Sequence, residues 1–528
     1  MFYFVPYWYG ENKTTAFDDT VNQIRMFESA HEKSETIIWD YAPQMRCFLH
    51  QQGLSLETSW SVFDTIQNVT DMYAKIIDFN DLDWPAAAEF VYTPFRINVV
   101  VKGKIYADVS FGIESQLSTI NYFDNDQISK ALIFDDRGFL SSIVHFEMGK
   151  KTTQEYLDRA GLWQIRVTYL SEGEAVVVNP LFYERFDKRG YQNLNNLIQE
   201  VINDHFNSAS DLGQSTLVIA AHEKYNQKLL KLAHRPKNLV LSFFRNRYDY
   251  KKNDQLLIEE LSVANFAITD TQGQLEDIKQ IVLSNNNSQL VTKLQHISPY
   301  DTRFQLGNSQ QVKGLKIFLT VQEMPENQIV FVLTTILAAM THNPLIELCI
   351  ASSEKNNIKS LEVYLKKALA QYFHLEMNDV LTDIPLDSET GENQLETSES
   401  NTDQKSEVVD LYKRVRIETF ETENAIIQAF KTVRLIIDVS RRPNIYIQIA
   451  GISAGIPQIN LTTSPYIVDK KNGLILQEIS ELNQAITYYF NGLRHWNESL
   501  VYSVRQIRQY TDGAIVNQWQ RLLGEHNE

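Results

Sequence analysis

The chain has 528 residues, 43% of them hydrophobic, and its 49 Lys and Arg against 66 Asp and Glu leave a formal charge of −17. An apolar fraction this high excludes global disorder, and the length allows two or three domains, each with its own core. Net acidity excludes a protein that coats nucleic acid or anionic lipid by bulk positive charge. Cys47 and Cys349 are the only cysteines and lie far apart, so neither a disulfide framework nor a zinc knuckle is expected and both read as reduced core residues. Met1 to Pro6 lacks a signal-peptide pattern. The longest apolar stretch, 329–340, has 12 residues against the ~20 of a membrane span, and reads as a buried helix. The expectation is a cytoplasmic protein with no transmembrane segment, reaching the inner face of the membrane only through partners.

In chain order, an apolar run at 2–5, a helical pattern at 17–28, a run at 36–39 and a second helical pattern at 44–52 make a βαβα series, which implies a parallel sheet. The character changes after about residue 70. Residues 96–111 alternate around the tight turn Lys102-Gly103-Lys104, and 131–146 repeat the arrangement around Asp135-Asp136-Arg137-Gly138. Two further strands, 163–170 and 175–178, flank Glu172-Gly173-Glu174. The α/β rhythm resumes from Tyr191 with helices at 194–206 and 223–232 and strands at 216–220, 239–243 and 266–269. A second α/β series begins near 275, with strands at 317–320, 345–350 and 433–439 and helices at 329–340 and 358–373.

The predicted organisation is therefore a first Rossmann-like domain in two segments (1–69 and 187–274) and an antiparallel β-sheet domain inserted within it (70–186). A second Rossmann-like domain (275–490) follows, and then C-terminal helices (491–528) that pack back on the first domain. Two doubly wound domains of this kind face a cleft at the C-terminal ends of their strands. Residues 376–410 hold eleven carboxylates against the single base Lys405. From 388 to 406 there is one large apolar residue, Leu395, so an acidic disordered loop is expected near 382–408 within the second domain.

The most specific residues lie between Asp438 and Gly473. Gly451-Ile452-Ser453-Ala454-Gly455 fits the GxSxG nucleophile elbow, and Asp469 and His495 follow in the order a hydrolase needs. Pro457 opposes that reading, because the elbow serine opens an uninterrupted helix. The other assignment runs a strand to Asp438, a helix from Pro443 to Ala454 with Gly455 as its cap, and a strand at 457–460. Aromatics and bases interleave from Phe243 to Lys252, so Arg245 and Arg247 are candidate cleft contacts. Arg441 and Arg442 could hold an anion, and Tyr7, Trp8 and Tyr9 could stack on sugar faces or pack in the core. No P-loop, HExxH or metal-ligand spacing is present.

The stretch from Asp438 through Ala454-Gly455-Ile456-Pro457 to Lys471-Asn472-Gly473 resembles the donor-site half of a retaining GT-B glycosyltransferase. The resemblance implies two glutamates eight positions apart ahead of the Gly-x-Pro, holding the sugar-nucleotide. Those positions are Arg442 and Ala450 here. A methyl group accepts no hydrogen bond and a guanidinium reverses the charge, so no catalytic residue, cofactor or metal is expected. Met1 to Tyr9, Asp18 to Arg25 and Gln448 to Asn460 together resemble the accessory secretory protein 1 family, the first of three Asp components of the accessory Sec system.

That resemblance implies a non-catalytic adaptor for export of serine-rich repeat glycoprotein adhesins. Its partners would be the other two Asp proteins, the accessory SecA motor and the glycoprotein substrate, with no nucleic acid. The inserted sheet is the first candidate for partner contact. An active GT-B transferase and a serine hydrolase using Ser453 stay open as alternatives.

Overall fold

The computed structural model describes residues 1–8, 17–71, 73–352, 357–375 and 399–524, the side chains of 399–405 excepted. The chain divides into two compact units, Met1–Thr14 with Gln23–His296 and Thr15–Asn22 with Ile297–Glu528.

The first unit is built on a seven-stranded parallel sheet. Its order is Leu294–His296, Phe266–Thr269, Asn238–Phe243, Thr216–Ala220, Phe2–Val5, Ser34–Ile38 and Ser59–Ser61. The chain starts in the middle, winds to one edge and then returns to wind to the other, which is the doubly wound arrangement, and the winding reverses between Phe2–Val5 and Thr216–Ala220. Helices cover both faces, so the central strands are buried throughout and read as unbroken apolar runs: every residue of Phe2–Val5, Thr216–Ala220 and Asn238–Phe243 is buried.

Between the edge strand Ser59–Ser61 and the helix Leu194–Ser208, the chain builds a ten-stranded antiparallel sheet, running in neighbour order from Gly190–Tyr191 to Ala88–Tyr92. Six of those strands follow the expected hairpins and the pair around Gly173. Ala88–Tyr92, Leu117–Asp124, Lys150–Leu157 and Gly190–Tyr191 are additional. At its near end the sheet shares one core with the parallel sheet: Tyr156, Ile165, Val167 and Val178 pack with Tyr3, Ile37, Phe63 and Leu197. At its far end it has a core of its own, where Phe79 joins Val99, Val109, Ile120 and Phe134.

A polar clamp joins this sheet to the helix Val62–Gln67 of the same unit. Arg137, in the turn expected from Asp135-Asp136-Arg137-Gly138, grips the Asp64 carboxylate with both terminal nitrogens at 2.9 and 2.7 Å, and Asp135 through Nε at 2.7 Å. Gln67 donates to the Ser141 and Leu157 carbonyls at 2.9 and 2.6 Å. The Asp136 carboxylate accepts the Cys47 amide at 2.7 Å, and burial pushes that carboxyl up to about 6.

The second unit repeats the doubly wound plan with six parallel strands. Their order is Val415–Thr419, Ile346–Ser352, Leu315–Thr320, Val433–Asp438, Gln458–Asn460 and Gly473–Ile475. Its core gathers the apolar helix Glu326–His342 and the helix Ile358–Phe373 against these strands. The helix Arg494–Ile507 is held by this unit: Trp496 Nε1 donates to the Arg434 carbonyl at 2.9 Å, and Gln506 Nε2 to the Tyr466 carbonyl at 2.9 Å. Of the acidic stretch, 376–398 lies outside the described residues. From Glu399 the chain is helical to Lys413, with Val408 and Leu411 buried against the core. Those two side chains supply the apolar anchor that composition alone does not reveal before residue 406. Cys47 and Cys349 are both buried free thiols, and burial pushes each up to about 12.

Candidate functional site

The strand Val433–Asp438 ends on a carboxylate that organises the turn after it. Asp438, fully buried and pushed up by that burial, accepts from Ser440 Oγ at 2.6 Å and from the Asn444 amide at 2.8 Å. Asn444 then caps the helix Ile445–Ala454, its Oδ1 accepting the Ile447 amide at 3.2 Å. The helix ends at Gly455, whose φ of 70° lets the Ile456 amide return to the Gly451 carbonyl at 2.9 Å. The period-two run Ile445, Ile447, Ile449 favours a strand locally. Asn444 and Gly455 decide for helix, and burial on nearly every side removes any amphipathic pattern.

One face of this helix lines a cavity of ≈ 50 Å³. Tyr446, Ile449, Ala450 and Ser453 belong to that wall; Glu423 and Phe430 of the helix Glu423–Phe430, the loop residues Asp301 and Arg303, and Asn22 are among the residues facing it. Asn22 Nδ2 donates to Glu423 Oε1 at 2.9 Å, and Arg303 Nε to Asp301 Oδ2 at 3.2 Å. Asp301, with Glu423 at longer range, raises the Arg303 guanidinium, so it stays charged.

The hydrolase reading fails on this geometry. Ser453 sits in the last turn of a helix, not on a strand-to-helix elbow. Its hydroxyl donates to the Ile449 carbonyl at 3.0 Å and accepts the Arg303 amide at 3.1 Å. The histidine proposed for it, His495, stacks on Tyr488 at 3.8 Å and bonds Glu498 at 3.1 Å, while Asp469 accepts the Ile475 amide at 3.0 Å.

The other candidate residues are dispersed. Ala450 and Ser453 share the cavity, whereas Arg441 and Arg442 are exposed in the turn before the helix and do not line it. In the first unit Tyr7 stacks on His222 at 3.7 Å, where the winding of the sheet reverses, and Trp8 is buried against Phe48 at 4.9 Å. Tyr9 lies outside the described residues. Arg247 closes the ends of two strands, donating to the Ser242 carbonyl at 2.6 Å and the Ala221 carbonyl at 3.2 Å. Arg245 is exposed over the Phe244 ring at 4.9 Å. Asn22, Asp301, Arg303 and Glu423 were not legible as site residues, because no local motif joins positions up to 401 apart. Among the described residues, no His, Cys, Asp and Glu group is placed to hold a metal, and no helix is long and apolar enough to cross a membrane.

The family model of the accessory Sec system protein that is the first Asp component matches residues 1–526. The chain belongs to the accessory secretory protein 1 family. A family member from Streptococcus gordonii is 36% identical, with 99% of both chains covered. Two solved complexes contain similar chains. In the glycosylation-associated protein complex of Streptococcus agalactiae the matching chain is 32% identical with a TM-score of 0.76, over 98% of this chain and 99% of that one. The complex of accessory secretory proteins 1, 2 and 3 of Streptococcus pneumoniae matches at 29% identity and the same TM-score, with 99% of both chains covered. The pneumococcal O-GlcNAc transferase GtfA, 12% identical at a TM-score of 0.68 over 99% of this chain and 98% of that one, shows the shared fold. The architecture is thus GT-B-like: two doubly wound units, the first carrying an inserted antiparallel sheet.

Proposed function

We propose that the protein is a non-catalytic adaptor of the accessory Sec system. It acts with the other two Asp proteins and the accessory SecA motor, at the cytoplasmic side, in export of serine-rich repeat glycoproteins. The observation that carries the non-catalytic part is the cavity beside Ala450. At ≈ 50 Å³ it is far below the roughly 300–1,000 Å³ of sites that enclose a ligand. Ala450 offers a methyl group where a donor-site carboxylate would accept ribose or sugar hydroxyls. Asp301 and Glu423, set against the single cation Arg303, leave the charged lining of the same cavity net negative, which does not favour a diphosphate. Membership of the family and the solved complexes of its relatives support the assembly.

Calorimetry with a panel of UDP- and GDP-sugars tests the reading. No binding at up to millimolar donor is expected. A micromolar dissociation constant would instead support an active transferase modifying the same glycoproteins, and would end the adaptor-only reading.

A further inference from the structure

The ten-stranded sheet has one open edge unlike the others. Ala88–Tyr92 pairs with Ile97–Val101 on one side and, among the described residues, with no strand on the other. Natural edges are blunted by short length, charge or proline within the strand. The remaining sheet edges conform: Gly190–Tyr191 has two residues, Ser59–Ser61, Leu294–His296 and Gly473–Ile475 have three, and Val415–Thr419 carries both Arg416 and Glu418. Ala88–Tyr92 has five residues and the single charge Glu89.

The direction of its backbone groups follows from the hairpin. The Thr93 amide donates to the Arg96 carbonyl at 3.0 Å. Hydrogen-bonded and non-bonded pairs alternate along an antiparallel ladder, so the pairs Val91–Asn98 and Glu89–Val100 bond inward. The amides and carbonyls of Phe90 and Tyr92 therefore point out of the sheet. The Ala88 amide is already taken by the Pro85 carbonyl at 2.9 Å. Beside this edge the side chains are apolar and wet: Val91, Tyr92 and Phe95 are 46, 68 and 91% exposed.

We propose that this edge receives an extended segment of another subunit of the accessory complex as an eleventh strand, an inference that rests on the adaptor reading. The segment would bond to Phe90 and Tyr92 through its backbone, lay apolar side chains on Tyr92 and Phe95, and set a basic residue against Glu89. Size decides against a second copy of this chain. An edge of five residues buries about 300 Å² per partner, and a specific stable interface needs about 1,200 Å² or more in total, roughly 600 Å² per partner. A symmetric pair formed at this edge alone falls short, whereas a subunit also held elsewhere in the assembly supplies the remainder.

The test uses the full chain, tagged and co-expressed with the two partner Asp proteins. Tyr92→Pro removes one outward amide, leaves the inward ladder untouched and keeps Val91 extended, the conformation that precedes proline. Tyr92→Thr removes the ring and keeps the amide. Partner retention should fall at least tenfold with proline and less than threefold with threonine. Equal retention by the proline variant, or equal losses in both, overturns strand addition. Hydrogen exchange on the wild-type complex reads the same contact without mutation: the Phe90 and Tyr92 amides should become protected relative to the free chain while Val91 does not change. If they stay unprotected the proposal fails, as it does if the free chain is a dimer that Tyr92→Pro dissolves. A wild-type chain that retains no partner at all overturns the adaptor reading beneath it.

Discussion

Replacing Arg137 with methionine should cost about 3 kcal/mol, because it removes the cation and keeps most of the volume. The Arg137 side chain is 7% exposed and bonds two carboxylates, Asp135 at 6% and Asp64 at 28% exposure. Breaking a buried pair from one side costs about 3–5 kcal/mol, since the remaining charge is left without compensation. Asp64 reaches enough water to rehydrate, which places the cost at the lower end of that range, roughly a 150-fold change in the opening equilibrium. Denaturant unfolding followed by circular dichroism measures it. The deficit should also shrink in acid. Burial already raises the Asp64 carboxyl despite the pull of Arg137, and losing that pull raises it further. A carboxyl raised in the folded state is penalised above its folded pKa and relieved as pH falls toward its unfolded value near 3.9. A loss below about 1 kcal/mol at pH 7, the scale of an exposed pair, would refute the clamp.

Gly138→Ala and Gly149→Ala separate backbone strain from collision. Both glycines have positive φ, 77° and 74°, but a Cβ at 138 would lie 1.5 Å from the Lys75 carbonyl oxygen while one at 149 meets nothing within 4 Å. Thermal melts should show a loss of about 1–2 kcal/mol at 149, the left-handed penalty alone, and a clearly larger one at 138. Asp136→Asn should flatten one part of the pH profile. With its folded pKa pushed up to about 6, Asp136 contributes stability below its unfolded pKa that is lost as pH rises through 6. Relative to wild type, the variant should therefore gain between pH 4 and 7, measured by urea titration. Ser453→Ala should lower stability by about 1 kcal/mol through its two hydrogen bonds, and a trace of esterase activity lost with it would revive the hydrolase reading.

The hairpin turns were readable because their chemistry is local: Lys102-Gly103 and Arg137-Gly138 place glycine where φ is 75° and 77°. Lys150–Leu157 was not, since KKTTQEYL offers little apolar alternation and becomes a strand through neighbours on both sides. The helix Ile445–Ala454 was readable only from its ends, Pro443 and Gly455, against a misleading interior. The cavity was the least legible part. Ala450 and Ser453 lie in a single motif, but Asn22 and Glu423 are 401 positions apart and are joined only by the tertiary fold. Arg137 shows the converse: a residue read as hairpin punctuation is also the bolt between two layers of structure.

Nine inter-strand spacings of about 4.8 Å carry the inserted sheet roughly 43 Å from Gly190–Tyr191 to Ala88–Tyr92. Such a structure acts as a boom. A flexible tether of equal reach would let its tip sample a large volume and dilute it there, whereas a continuous ladder, held midway by the Arg137 clamp and further out by the His50–Glu114 pair, restricts where its tip can go. If a subunit adds to that edge as proposed, part of the entropy of positioning it is already spent in folding the sheet.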